Sequence, residues 1–207
     1  SVLRCSTNWR PSPRSRAWAT DGMAFTVLYD ACVLYPAPLR DLLIGIAGTG
    51  VVRARWSDQI LDECFRNISL NRPDIPTERL MRTRELMNAA VPDCLVSNFE
   101  ALIDGISLPD ADDRHVVAAA IRCGAQAIVT FNLSDFPAEA LAAFDIEAKH
   151  PDDFILDTLD LAKGSVLEVL TNQSARLKNP PQSVAEVLDT LRNSGLEQSV
   201  ARIREPF

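Results

Sequence analysis

Short β-branched runs alternate with longer segments of helical period along the middle of this 207-residue chain. "FTVLYD" and "QAIVTF" are strand-length runs, each ending on a polar residue, and "DCLVSN" and "DIEAKH" are weaker versions of the same pattern. Between them the spacing of apolar positions predicts helices over about 39–49, 57–69, 76–90, 99–104 and 113–123. Strands alternating with helices predict a mainly parallel sheet covered on both faces, an α/β/α sandwich. After His150 the pattern is helical throughout. Pro151, Asp152 and Asp153 suit a first turn, "NPP" at Asn179–Pro181 stops the chain, and Ser183 to Glu186 has capping-box spacing. The expected organisation is therefore an α/β unit over 23–150 and an all-helical C-terminal extension over 151–207. Residues 1–22, with four arginines and little apolar periodicity, read as a disordered or non-native extension ahead of Met23.

Composition narrows the class. Hydrophobic residues make up 47% and charged ones 24%, a soluble globular balance. No apolar run is long enough to span a bilayer, and nothing near the start reads as a secretory signal, so the expectation is a cytoplasmic protein without a membrane partner. Five scattered cysteines, no C-x-x-C pair and two histidines argue against a zinc site and against a disulfide framework. A net charge of −7 argues against a non-specific nucleic-acid coat, though not against a nuclease whose acids hold cations.

The acids themselves are placed suggestively. Asp30 ends the first strand run, where open α/β sheets bind ligands. Glu63 borders the apolar stripe of Ile60, Cys64, Phe65 and Ile68, while Asp62 points toward solvent. Thr130, Asn132 and Asp135 gather beyond the end of another strand, a mixture suited to a hard cation. "LPDADDRHVVAAAI" crowds three aspartates ahead of an apolar run. On a helical wheel Asp110 caps, Asp113 at the third helical position heads the apolar face, and Asp112 shares a solvated face with His115 and Ala119. Capping accounts for Asp110, but a carboxylate heading a buried stripe needs a neutralising partner. Asp30, Glu63, Asp113 and Asp135 thus form a candidate catalytic and metal-ligating set, supported by Thr130, Asn132 and Asp110. Oxygen-only ligands favour Mg²⁺ or Mn²⁺.

"YDACVLYP", "ILDECFRNI", "LPDADDRHVVAAAIRCGA" and "IVTFNLSDFP", in that order, resemble the PIN-domain ribonucleases, in particular VapC-like toxins of type II toxin–antitoxin pairs. "ARLKNPPQSVAEVLDTLRNSGL" resembles the C-terminal extension of one PIN subgroup. The resemblance implies a PIN-like sandwich and an acidic Mg²⁺ or Mn²⁺ centre hydrolysing single-stranded RNA to 5′-phosphate and 3′-hydroxyl ends. It also implies a small antitoxin as partner, and it leaves a homodimer open. It maps the family's four acids to Asp30, Glu63, Asp113 and Asp135, with Asp110 competing for the third place. RNA must also be held, and residues 53–84 carry seven arginines against five acids. Arg53, Arg55, Arg79 and Arg82, with Arg114, are the candidate phosphate contacts. Two other readings stay open: a PIN- or flap-type nuclease of RNA maturation or DNA processing without an antitoxin, and a degenerate RNA- or protein-binding module. A haloacid-type phosphatase is disfavoured because "ACVL" follows Asp30.

Overall fold

A computed structural model describes residues 25–205; the N-terminal extension expected over 1–22 lies outside the described residues. Among the described residues there are five parallel strands: β1 (Phe25–Tyr29), β2 (Val52–Ser57), β3 (Leu95–Val96), β4 (Ala127–Val129) and β5 (Glu147–Lys149). They are ordered β3-β2-β1-β4-β5, all pairs parallel. The helices are α1 (Ala31–Leu34), α2 (Ala37–Gly48), α3 (Asp58–Asn71), α4 (Thr77–Ala90), α5 (Arg114–Cys123), α6 (Ala138–Leu141), α7 (Pro151–Arg176), α8 (Val184–Asn193) and α9 (Glu197–Arg204). The protein is an α/β/α sandwich with a helical C-terminal extension.

β1 is central, and its five residues are all buried. It pairs with β2 from Phe25↔Val52 and with β4 from Val27↔Ala127. The chain moves outward from β1 through β2 to β3, then returns to lay β4 on the other side of β1. This reversal opens a crevice at the carboxyl ends of β1 and β4, the position where doubly wound sheets bind ligands. On one face, α5 packs across β1, β2, β3 and β4. On the other, α2 packs on β2 and α7 packs on α2. The Tyr29 ring stacks on Trp56 and meets Phe154 of α7 edge-on. Trp56 is fully buried yet satisfied, because its indole N–H donates to Asn88 Oδ1 at 2.9 Å.

Several expectations need correction. β2 has no counterpart in the sequence reading, because Arg53 and Arg55 break its hydrophobic signal. Its burial nevertheless alternates at first, with Val52, Ala54 and Trp56 buried, Arg53 exposed and Arg55 half-buried. The helix expected at 99–104 is a 3-10 turn, Glu100–Gly105. The helical pattern after His150 forms as α7, which is kinked at Ala162, where the backbone (φ −149°, ψ 56°) leaves the helical region. The capping box at Ser183 and Glu186 forms as expected.

The extension is held to the sandwich by polar anchors as well as apolar contact. Buried Asp152, in the first turn of α7, accepts the backbone N–H groups of Gln198 and Ser199, each at 2.8 Å. Those are two of the N–H groups that open α9, so one helix supplies the cap that the other lacks in its own sequence. At Gly45 of α2, a Cβ would overlap Val169 Cγ1, so only glycine allows α2 and α7 to approach this closely. Among the described residues, no helix is long and apolar enough to cross a membrane.

Candidate functional site

β1 delivers Asp30 to the crevice, and the backbone explains its exposure to so few solvent molecules. Asp30 is the N-cap of α1, and its Oδ1 accepts the Ala31 N–H at 2.6 Å. Its Oδ2 accepts the Thr130 hydroxyl at 2.7 Å and the Cys32 thiol at 3.1 Å. Thr130, just beyond β4, also accepts the Asn132 N–H at 3.0 Å. Pairing of Tyr29 with Val129 puts the ends of β1 and β4 side by side, so residues a hundred positions apart hold one carboxylate. These three donors to Asp30 are all neutral. Burial drives its pKa up, partly opposed by the hydrogen bonds from Thr130, Cys32 and Ala31, and the Glu63 charge raises it further.

The other three acids arrive from separate elements. Glu63 lies in the second turn of α3, which Ser57 caps through the Ile60 N–H. Asp135 ends a 3-10 turn, Leu133–Asp135, just after Thr130. Asp113 is the N-cap of α5 and makes no side-chain cap bond. The expected helix start is thereby corrected: Asp113 precedes the helix, and Asp110 caps no helix but accepts the Asp112 N–H at 2.9 Å in a local turn. A carboxylate at an N-cap that leaves its cap bonds unmade is free to face the crevice. Glu63, Asp110, Asp113, Asn132 and Asp135 line one cleft of about 690 Å³. Asp30 is buried, whereas Glu63, Asp113 and Asp135 are half-buried and Asp110 and Asn132 exposed, and its charge acts on Asp113.

The shared cleft brings these charges close enough to act on one another. Asp113 has its pKa raised to about 6, first by burial and then by the charges of Asp30, Asp110, Asp135 and Glu63. Four acids therefore act on a fifth, and Arg66 and His115 lie among the residues lining the cleft. Among the described residues, no three acid, histidine or cysteine side chains close around a single point. The donor set is oxygen-rich, negative and mutually repelling, which suits a hard divalent cation.

A consequence for stability follows from the sign of the shift. An acid whose folded pKa exceeds its unfolded value binds more protons when folded, so metal-free stability falls as pH rises from about 4 to about 6. In chelator, thermal melts of the wild type are expected to show this fall, and Asp113→Asn is expected to reduce it. A wild-type and variant difference that stays flat across that interval would contradict the placement of Asp113.

Comparison with known proteins fits this architecture. A PIN domain family model matches residues 26–134. The chain belongs to the PIN-domain family. A second model, the VapC50 C-terminal domain, matches residues 151–205, within the helical extension of this PIN-domain protein. A protein of Mycobacterium tuberculosis named "Putative ribonuclease VapC50" is 42% identical over 95 residues, 46% of this chain and 56% of that relative. This PIN-domain chain thus spans little more than half the length of the curated relative it matches. No solved structure matches it at a significant level.

Three features of the site escape the sequence reading. Cys32, one of five scattered cysteines given no role there, donates to Asp30, lies 3.3 Å from the Thr130 hydroxyl and accepts the Phe131 N–H at 3.2 Å. Burial pushes its thiol up to about 12, so it acts as a neutral hydrogen-bonding bridge. His115, expected on a solvated face with Asp112 and Ala119, is buried, as is Ala119. The 3-10 turn Glu100–Gly105 packs on α5 in addition to the sheet, and a helix rich in alanine gives no periodic sign of that second cover. His115 Nε2 lies 3.7 Å from a Glu63 carboxylate oxygen. The third feature is Arg66. None of Arg53, Arg55, Arg79, Arg82 and Arg114 lines the acidic cleft, whereas Arg66 does. Arg53 and Arg55 lie along β2, Arg79 borders a separate hollow with Tyr35 and Phe65, and Arg82 is exposed and paired with Glu85. Arg114 opens α5 with its Nε buried. The wheel that placed Glu63 would also have found Arg66, three residues further on.

Proposed function

We propose that this PIN-domain protein is a Mg²⁺- or Mn²⁺-dependent endoribonuclease of single-stranded RNA, acting as the toxin of a toxin–antitoxin pair in the cytoplasm. The observation that carries the reading is the approach of Asp30, Glu63, Asp113 and Asp135, from four separate elements, to the crevice where β1 and β4 end. Similarity to the mycobacterial protein supports ribonuclease chemistry in the same family. Residues 23–150 are assigned as the nuclease unit and 151–207 as an extension packed on it.

Asp30, Glu63, Asp113 and Asp135 would hold the cation. A bound Mg²⁺ or Mn²⁺ supplies Lewis-acid polarisation of the phosphate and makes water a better nucleophile near neutral pH. The chain's own work is positional. Thr130, Cys32 and the Ala31 N–H fix both oxygens of Asp30, and Asn132 holds the Thr130 hydroxyl through its N–H. In the hydrolysis a water oxygen bonds to phosphorus as the bond to the 3′ oxygen breaks. Water loses a proton, the 3′ oxygen gains one, and the products carry 5′-phosphate and 3′-hydroxyl ends.

Purified full chain incubated with single-stranded RNA is expected to cleave internally in Mg²⁺ or Mn²⁺ and to stop in excess chelator. Ligation-based mapping should recover 5′-phosphate ends. Absence of cleavage, or cleavage indifferent to chelator, would overturn the assignment. A neighbouring small protein with a basic, apolar tail that silences the cleavage would establish the toxin role over RNA maturation.

A further inference from the structure

Helix α3 presents one exposed row to the acidic cleft. Gln59, Glu63, Arg66, Asn67 and Leu70 recur at helical three- and four-residue spacing, and all five line it. The opposite stripe, Ile60, Leu61, Cys64 and Ile68, is buried. The flank beside the row is occupied, since Arg84 of α4 pairs with Asp58 and Asp62. Arg72 and Arg82 are likewise engaged, with Asp74 and Glu85. Among the described residues Arg66 forms no ion pair and no side-chain hydrogen bond, although carboxylates share its cleft. Leu70 is 74% exposed at the far end of the row, an apolar side chain held out to solvent.

Resting on the ribonuclease reading above, we propose that this row is the track that receives single-stranded RNA beyond the scissile phosphate and reads its bases. Arg66 takes a phosphate, the Gln59 and Asn67 amides meet base edges, and Leu70 supports an unstacked base. Four observations favour a single strand as the occupant. Glu63, a member of the acid set, lies within the row, so the track is continuous with the place of reaction. A guanidinium one turn beyond a cluster of carboxylates suits an anion aligned by the cation and then by arginine. From Glu63 to Leu70 the helix rises roughly 10 Å, about three stacked nucleotides at ~3.4 Å each. Amides and an apolar contact beside one positive charge are the means by which single-stranded bases are read, where duplex RNA would present phosphates and 2′-hydroxyls.

The test uses the full chain carrying Asp30→Asn, so that binding is read without cleavage, and 5′-fluorescein oligoribonucleotides of mixed sequence. Affinity is measured by anisotropy between 50 and 200 mM salt, with melts confirming that each variant is folded. Adding Arg66→Gln is expected to weaken binding to every sequence and to make the slope of log affinity against log salt shallower by about 0.7, one phosphate contact on a single strand. Asn67→Ala and Gln59→Ala, in the otherwise active chain, are expected to leave that slope alone and to flatten cleavage preference at one nucleotide position by roughly tenfold. An unchanged salt slope in Arg66→Gln overturns the proposal, and so does an unchanged cleavage profile in both amide variants. If the wild type cleaves RNA while these readouts stay fixed, the α3 track alone falls. If it neither cleaves nor binds RNA, the ribonuclease reading falls first.

Discussion

Asp30→Asn is expected to lower metal-dependent RNA cleavage by on the order of 10²–10³-fold while leaving the fold intact, because the site asks for the charge of this side chain and not for its shape. Asp30 is 4% exposed, and its hydrogen-bond donors among the described residues, the Ala31 N–H, the Thr130 hydroxyl and the Cys32 thiol, are all neutral. Neutral donors satisfy its lone pairs but leave the buried charge itself uncompensated, as its raised pKa records. Asparagine fills the same volume, and the Thr130 hydroxyl and Cys32 sulfur can accept from its amide as readily as they donated to the acid. The metal-free melting temperature should therefore stay level or rise. The rise in melting temperature that Mn²⁺ gives the wild type should shrink, because stabilisation by a ligand scales with its affinity for the folded state. Cleavage within a few-fold of wild type, or an unaltered Mn²⁺ shift, would remove Asp30 from the metal set. Measuring both separates a lost ligand from a distorted fold, since distortion would lower the metal-free melt as well.

What could be read in advance follows a physical boundary. Elements governed by local period were legible: β1 and β4 as β-branched runs, α3 and α5 as amphipathic segments, and the Ser183 cap as a three-residue spacing. β2 was not, since a strand bearing Arg53 and Arg55 shows its identity only once Val52, Ala54 and Trp56 are seen against β1. The site divides along the same line. Asp30, Glu63, Asp113 and Asp135 can each be picked out by position relative to a predicted strand end or helix face. The Cys32 bridge cannot, because its partners beyond Asp30 sit 98 and 99 residues away and meet it only through β1–β4 pairing. His115 shows the converse error. A helical wheel assigns one buried face, and α5 has two, the second covered by a turn that no local pattern foretells.

The same boundary makes the attachment of the extension a matter for measurement. Lys149 ends β5, Asp157 lies in the second turn of α7, and their side chains form an ion pair with exposures of only 8% and 7%. Eight residues separate them, too few to suggest a tertiary bond and too irregular in structure for a helical spacing rule to apply. Asp157→Ala is expected to destabilise the protein by ~3–5 kcal/mol, because it leaves the Lys149 ammonium buried without this carboxylate. The Glu147 carboxylate, 3.8 Å away and half-exposed, offers partial relief, which favours the lower end of that range. For a chain of this size the melting temperature should drop by roughly 6–20 °C. Replacing both partners by apolar residues of similar volume, Lys149→Met with Asp157→Leu, removes the desolvated charges together and should restore most of the loss. The effect should also reach the cleft. The Lys149 carbonyl accepts the Thr130 N–H at 2.9 Å, and Thr130 in turn donates to Asp30, so a frayed β5 loosens the strand end that fixes the first acid. Cleavage by Asp157→Ala should consequently fall with temperature well before that of the double variant. Additive losses in the two single variants, with no recovery in the double, would show that the pair contributes packing volume and no charge coupling.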